Sequence, residues 1–286
     1  MEVRTREIVH PSRSDIFKIT PLGCIHYGGS DCAVDLLKAC VRKIAQEPNH
    51  FWIGMGDYAE CIGPPDKRFD ARDLDPATRL AELHDLSNSQ LRKLAAILDP
   101  IRSRCLGLLS GNHEETMALR YFADVHGRFC ELMSNDFGPL DLTYSAILRL
   151  RFCRCRKNGA IPVRIWAHHG AGGGRKSGAI INRIEDMPLH FPRCHIYIMG
   201  HVHRRDAGIR MALDIPDKSD TLIEVPRAWG ITGTFKRTYQ QGGRGYGEKG
   251  QMQPTSLGVI TFLIRPAAND LAPVITAYSS TDGLPG

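Results

Sequence analysis

Five short segments of this sequence place a histidine, an aspartate or an asparagine directly behind an apolar run. They are Gly23-Cys24-Ile25-His26, Gly56-Asp57, Gly111-Asn112-His113-Glu114, His168-His169-Gly170 and Gly200-His201-Val202-His203. Nitrogen and oxygen donors of this kind suit Mn²⁺, Fe, Zn²⁺ or Ni²⁺. The flanking glycines let the backbone turn sharply and approach a bound anion. The chemistry implied is metal-assisted work on an anionic group, provided that the five segments meet.

The elements that must position them are legible from hydrophobic periodicity. Phe17–Ile25 reads as a buried strand. Asp31 then serves as an N-cap to a helix carrying Val34, Leu37, Val41 and Ile44, which Pro48 closes. Phe51–Met55 and Cys105–Leu109 read as strands ending at Gly56-Asp57 and at Ser110-Gly111-Asn112. Between them Ser89–Leu98 is helical, stopped by Asp99-Pro100, and Thr116–His126 is helical after them. Leu142–Cys155 and Ile161–Ala167 are strands joined by the hairpin signal Lys157-Asn158-Gly159. His195–Met199 is a strand ending at Gly200. Ile209–Leu213, Thr221–Val225, Leu257–Ile264 and Pro273–Tyr278 are shorter strand-like runs. This order predicts mixed sheets with helices outside, an α/β sandwich in which functional loops gather at the carboxyl ends of strands.

Bulk properties bound the function. The 286 residues are 42% hydrophobic and 24% charged with net charge +6, an ordinary globular balance with a mild preference for anions. No apolar stretch is long enough for a membrane helix, and the polar start at Met1–Asp15 has no signal-peptide core, so a cytoplasmic protein with no membrane partner is expected. Nine scattered cysteines argue against a disulfide framework. Cys153 and Cys155 fall on one strand face and read as packed thiols. The chain reads as one domain, 1–286, with a proline-rich insertion or lid at 59–88 and a glycine-rich loop at 234–256. Within that loop Arg244, Tyr246 and Lys249 would suit a phosphate.

Taken together and in order, the motifs resemble the calcineurin-like metallophosphoesterases over roughly residues 17 to 205. The matching residues are Gly56-Asp57 with Glu60, Gly111-Asn112-His113-Glu114, His168 in His-His-Gly, and Gly200-His201-Val202-His203. The overall flavour also resembles phosphoesterases encoded by phages and prophages. The resemblance implies a four-layer α/β/β/α sandwich with two mixed β-sheets. It implies hydrolysis of a phosphomonoester or phosphodiester by a hydroxide held between two divalent metal ions about 3.5 to 4 Å apart, Mn²⁺ first, with Fe, Zn²⁺ or Ni²⁺ as alternatives. Asp57 would bridge the metals. His26 and His203 would hold the first; Asn112, His168 and His201 the second. His113 would protonate the leaving oxygen, and Glu60 would orient or charge-stabilise His113. Arg175 and Lys176, behind the glycine-rich turn, are candidates for holding the phosphate, with His169 in the outer shell or facing substrate.

One position departs from the family. Its first motif is Asp-x-His, and here Cys24-Ile25-His26 stands instead. Either Cys24 ligates as a thiolate, which favours softer metals, or the first site is weak, or Asp31 reaches in. His10, His50, His84, His126, His190 and His195 read as structural. Glu114 reads as a first-turn acid, Tyr58 as packing, and Arg204 and Arg205 as solvated surface. Two other functions compete. A nuclease on DNA or RNA would need a basic, aromatic-lined groove, and only three Trp are present. A catalytically lost scaffold of the same fold is suggested by Cys24 and opposed by the intact Asn112-His113.

Overall fold

The computed structural model describes residues 1–12, 14–153, 162–172, 177–215, 220–241, 246–266 and 274–280. The strands are β1 (Glu2–Val9), β2 (Phe17–Leu22), β3 (His50–Gly54), β4 (Cys105–Leu108), β5 (Ser145–Cys153), β6 (Val163–His168), β7 (Ile196–Met199), β8 (Arg205–Asp214), β9 (Ile223–Thr232), β10 (Val259–Arg265) and β11 (Val274–Ser280). The α-helices are α1 (Val34–Gln46), α2 (Leu86–Leu98), α3 (Asn112–Tyr121), α4 (Val125–Leu132), α5 (Ser177–His190) and α6 (Tyr246–Lys249).

The strands form two sheets, ordered β1-β5-β6-β7-β9-β8 and β11-β10-β2-β3-β4. Both are mixed. In the second, β2, β3 and β4 run parallel and β10 antiparallel; in the first, β6, β7 and β9 run parallel, β5 is parallel to β1 but antiparallel to β6, and β8 is antiparallel to β9. Strand alternation then dictates the layers. Ile53 of β3 and Ile165, Ile196 and Ile198 of β6 and β7 bury together between the sheets. On the opposite face of the second sheet, Trp52 meets Leu37, Val41 and Ile44 of α1, Leu91 and Leu94 of α2, and Phe129 of α4. On the outer face of the first, Trp166 and Tyr197 meet Ile180, Ile184 and Met187 of α5. The result is a four-layer α/β/β/α sandwich with two mixed sheets. Among the described residues no helix is long and apolar enough to cross a membrane.

Several boundaries differ from the sequence reading. The N-terminal segment is a full strand, β1, paired in parallel with β5 along its whole length. It was missed because its inward face carries Arg6 as well as Ile8; the Arg6 guanidinium satisfies itself on the carbonyls of Leu106, Phe137 and Pro139. Asp31 does not cap α1: the capping position is Ala33 and no side chain caps the helix. The expected Thr116–His126 helix is two helices, α3 and α4, parted at Phe122, whose φ of 53° stops α3. The 59–88 segment contains two 3₁₀ turns, Ala71–Asp73 and Leu80–Asp85, and ends inside α2. The Lys157-Asn158-Gly159 turn lies outside the described residues, but β5 and β6 pair antiparallel as a hairpin requires. All eight described cysteines are free thiols.

Two buried histidines make the fold acid-sensitive. His195 Nδ1 accepts the Arg164 amide at 3.0 Å, and His50 Nε2 lies 2.8 Å from Thr20 Oγ1. Burial pushes both imidazoles down to about 4; Arg227 and Arg164 add to this at His195, and Glu47 opposes it at His50. The unfolded chain therefore binds extra protons between about pH 6.5 and pH 4. This stability is fully present above pH 6.5 and is lost as pH falls through that window, by up to about 3 kcal/mol per histidine. Urea midpoints are expected to fall steadily from pH 7 to pH 5, above the range where carboxylates titrate; a flat profile there would show that neither ring is held neutral.

Candidate metal centre

The parallel strands deliver their following loops to one end of the sandwich: β2 leads to Cys24 and His26, β3 to Asp57, β4 to Asn112 and His113, β6 to His169, and β7 to His201 and His203. Beyond the strand ends the loops are stitched sideways. Cys24 N donates to Gly56 O at 2.9 Å, and Ile25 N and His26 N donate to Asp57 O at 2.8 and 3.1 Å. Gly200 N donates to His169 O at 3.0 Å, and Phe235 N to Cys24 O at 3.0 Å. Gly56 sits at φ 86°, and a Cβ there would lie 2.6 Å from both Gly111 N and His169 Nδ1, so glycine is required for these loops to touch.

The carboxylate of Glu114 locks two of the loops. It accepts from Gly111 N and Asp57 N at 2.9 Å each and from Tyr58 N at 2.8 Å. Read from the sequence as a first-turn acid, it is a fully buried tie between the β3 and β4 loops. Asp57 Oδ1 in turn accepts His113 N at 3.0 Å, placing a carboxylate at the positive end of α3.

Two clusters of ligand atoms share Asp57. Cys24, His26, Asp57 and His203 each offer one atom, all within 4.8 Å of one another; Asp57, His169 and His201 do the same. His26 Nε2 and His203 Nε2 are 3.0 Å apart, and His26 Nε2 is 3.9 Å from Asp57 Oδ2. His169 Nε2 lies 3.4 Å from Asp57 Oδ2 and 3.2 Å from Asn112 Oδ1, which brings Asn112 into the second cluster. His201 Nδ1 is buried without a hydrogen-bond partner.

The electrostatics keep most of these donors available. Burial pushes His26 down to about 4 against the opposing pull of Glu60, and burial lowers His203 and His201 as well. Burial would raise the Asp57 carboxyl, but His113, His169 and His26 together hold it well below its usual range. Three neutral rings beside one carboxylate, with an orphaned imidazole nitrogen, fit a pair of borderline or hard divalent cations.

Five of the nine non-glycine residues with left-handed φ among the described residues are Cys24, His26, Asp57, His201 and His203, with φ between 48° and 68°. Each costs on the order of 1 kcal/mol or more. The concentration of that strain in one place is the mark of a functional site, because the turn re-aims each side chain off the strand axis and into the cluster.

The structure brings most of the expected ligands together but exchanges two. His169, not His168, reaches Asp57. Alternation in β6 sends Val163, Ile165 and Ala167 between the sheets and Trp166 toward α5, and His168 follows Trp166. Its Nδ1 accepts Gly170 N at 2.8 Å, and it lines a small apolar groove with Trp166, Met187 and His190. Counting in twos from Trp166 would have found this. Glu60 also differs from expectation. His113 Nδ1 sits 2.5 Å from the Glu60 carbonyl oxygen, whereas the Glu60 carboxylate receives Lys236 Nζ at 2.7 Å and faces His26 Nδ1 at 3.0 Å.

Cys24 is wholly buried inside the first cluster, and its Sγ accepts His201 N at 3.2 Å. Asp31 stays out of both clusters, 3.7 Å from Lys236 Nζ. Arg175 and Lys176 lie outside the described residues, as do Arg244 and the side chains of Tyr246 and Lys249. The site opens into a cleft of about 1280 Å³ whose walls come from the 59–88 segment (Arg68, Phe69, Arg72) and the 234–256 loop (Lys236, Arg237, Thr255). Arg204 and Arg205, read from the sequence as solvated surface, line this cleft. Lys236 had no sequence signal: only its buried pairing with Glu60 and Asp31 reveals it.

No protein-family profile matches the chain. No curated protein matches it either. Among solved structures, the chain is similar to a conserved uncharacterized protein, a predicted phosphoesterase, from Streptococcus pneumoniae, with 9% identity, coverage of 92% of this chain and 99% of the other, and a TM-score of 0.31. At that level of similarity the side-chain geometry alone carries the chemistry.

Replacing His169 by Ala is expected to lower the divalent metal content of the protein at equilibrium by about one equivalent, and replacing His168 by Ala to leave it unchanged. Elemental analysis after dialysis against buffered Mn²⁺ or Zn²⁺ decides between them; loss of metal in the His168 variant alone would reverse the assignment.

Proposed function

We propose that the protein is a metal-dependent hydrolase of phosphate esters. The observation that carries this reading is the double cluster around Asp57, held by strained loops at the base of an open cleft with His113 beside it. A pair of cations held there would supply Lewis acidity toward phosphoryl oxygens and a lowered pKa for bound water. Mn²⁺ is the first metal to test, and cytoplasmic conditions the first setting.

The remaining steps belong to the chain. Cys24, His26 and His203 would hold one cation, Asn112, His169 and His201 the other, with Asp57 between. The Glu60 carboxylate lies 3.0 Å from His26 Nδ1 and is itself fixed by Lys236, the position from which an outer-shell group orients a ligand. The Glu60 carbonyl oxygen accepts Nδ1–H of His113, which leaves Nε2 as the atom that passes a proton to the leaving oxygen. The neutral His26, His201 and His203 rings would bind cations without first losing protons.

The cleft favours a compact substrate over a polynucleotide. Among the described residues its lining holds six Lys and Arg side chains (Arg68, Arg72, Arg204, Arg205, Lys236, Arg237) against five Asp and Glu (Asp31, Asp57, Glu60, Asp70, Asp73). Arg68, Arg72 and Arg204 are already paired with Asp66, Asp70 and Asp206. Phe69 is the sole Phe, Tyr or Trp among the described lining residues. A nucleic-acid groove needs more unpaired cation and more stacking surface.

Metal-loaded protein should hydrolyse nitrophenyl phosphate or bis-nitrophenyl phosphate, with activity falling at least ~100-fold in His113→Ala, within the range for losing a general acid. Asp57→Ala should lose both activity and bound metal. No turnover of either ester by fully loaded protein would instead support the scaffold reading. If Cys24 ligates through sulfur, Cys24→Asp is expected to raise activation by Mn²⁺ relative to Zn²⁺ and Fe. An unchanged metal ranking would mean that the thiol is not a ligand.

A further inference from the structure

A second group of ligand-type side chains sits behind the Asp57 centre. His126 and Cys130 are four residues apart on α4, so they share one helix face. Asp141 approaches that face from the segment leading to β5. His126 Nε2 lies 3.1 Å from Asp141 Oδ1 and 3.6 Å from Cys130 Sγ, and the three atoms are mutually within 4.8 Å. A tetrahedral Zn²⁺ with a nitrogen ligand at about 2.0 Å and a sulfur ligand at about 2.3 Å separates those two atoms by roughly 3.6 Å, and separates nitrogen from oxygen by roughly 3.3 Å. The observed spacings match both edges of that tetrahedron.

We propose that His126, Cys130 and Asp141 form a separate zinc site, with solvent as the fourth ligand on the exposed side of Asp141. The donor set points to Zn²⁺ and against Mg²⁺ or Ca²⁺, which take oxygen ligands in larger number. Binding transfers the Cys130 thiol proton to solvent, so one proton is released per ion and affinity rises with pH. His126 Nδ1 is buried and unpartnered. The outer-shell hydrogen bond that tightens many zinc histidines is therefore missing, which lowers affinity by about 10- to 100-fold and places this site below the tightest structural zinc sites.

The site has a clear structural role. The His126 ring stacks on Tyr58 (6.4 Å, 13°), the residue after Asp57. Asp141 Oδ1 also accepts Thr143 N at 2.7 Å, and the next residue, Tyr144, packs its ring 5.1 Å from that of His169. An ion here would clamp α4 to the segment that carries Tyr144 and so brace the Asp57 centre from behind without touching it.

The test reads metal content rather than turnover, so it stands whether or not the protein hydrolyses phosphate esters. Chelator-stripped full-length protein is dialysed against buffered Zn²⁺. Wild type should bind about one equivalent more than Cys130→Ser and than Asp141→Asn, the latter at a half-exposed position that the fold tolerates. With Co²⁺ in a Cys24→Ser background, a thiolate-to-cobalt absorption band should persist and then vanish when Cys130→Ser is added. Equal zinc content in wild type and in either folded variant would overturn the proposal, as would a cobalt band insensitive to Cys130.

Discussion

A fully buried carboxylate is costly unless its charge is answered, and Asp57 is one. Much of the surrounding structure reads as the answer. His113 donates its amide to one oxygen, His169 and His26 face the other, and the α3 N-terminus points at the group. A second buried carboxylate, Glu114, lies against the same loop, where three backbone amides offset its burial and fix the two strand ends to each other. The pair is tolerable because each acid has its own donors. Removing either would leave the donors of that acid unpaired at the junction of two sheets.

The same logic extends outward through Glu60. Its carboxylate is held by Lys236, whose charge burial alone would suppress and which Glu60 and Asp31 restore. A chain of contacts thus runs from Asp57 through the His26 imidazole to Glu60, Lys236 and Asp31, from the cluster to the wall of the cleft. Such a chain sets a carboxylate beside the His26 ring and links the 234–256 loop to the first cluster.

Much of this was legible in the sequence. Glycine followed by Asp, Asn or His behind an apolar run locates a strand end that turns sharply, and in every such segment at least one of those side chains reaches the centre. Most strands of the two sheets, with α1 and α2, also follow from periodicity, whereas β1, the break between α3 and α4, and α5 do not. What failed did so for local reasons. His168 and His169 are adjacent, and only the register of β6 against α5 separates them. Glu60 offers both a carbonyl and a carboxylate, and composition cannot say which one His113 will use. Asp31 has the type and position of an N-cap, yet a lysine more than two hundred residues away claims its side chain. The last kind of contact, like the role of Glu114, depends on loops that meet only after the sheets have stacked.

The order of strands in the second sheet sets when that can happen. β2, which leads into Cys24 and His26, lies between β3 and β10, and β10 is Val259–Arg265. A ribosome that has released the first 203 residues has supplied every residue of the two clusters, yet the ladder on one side of β2 still lacks its partner. Completion of the sheet beneath the centre therefore waits for β10, a pairing of high contact order that folds correspondingly slowly. Until it is complete, the cysteines and histidines of those loops are exposed, and unfolded Cys and His bind metals without the selectivity that a folded cluster imposes.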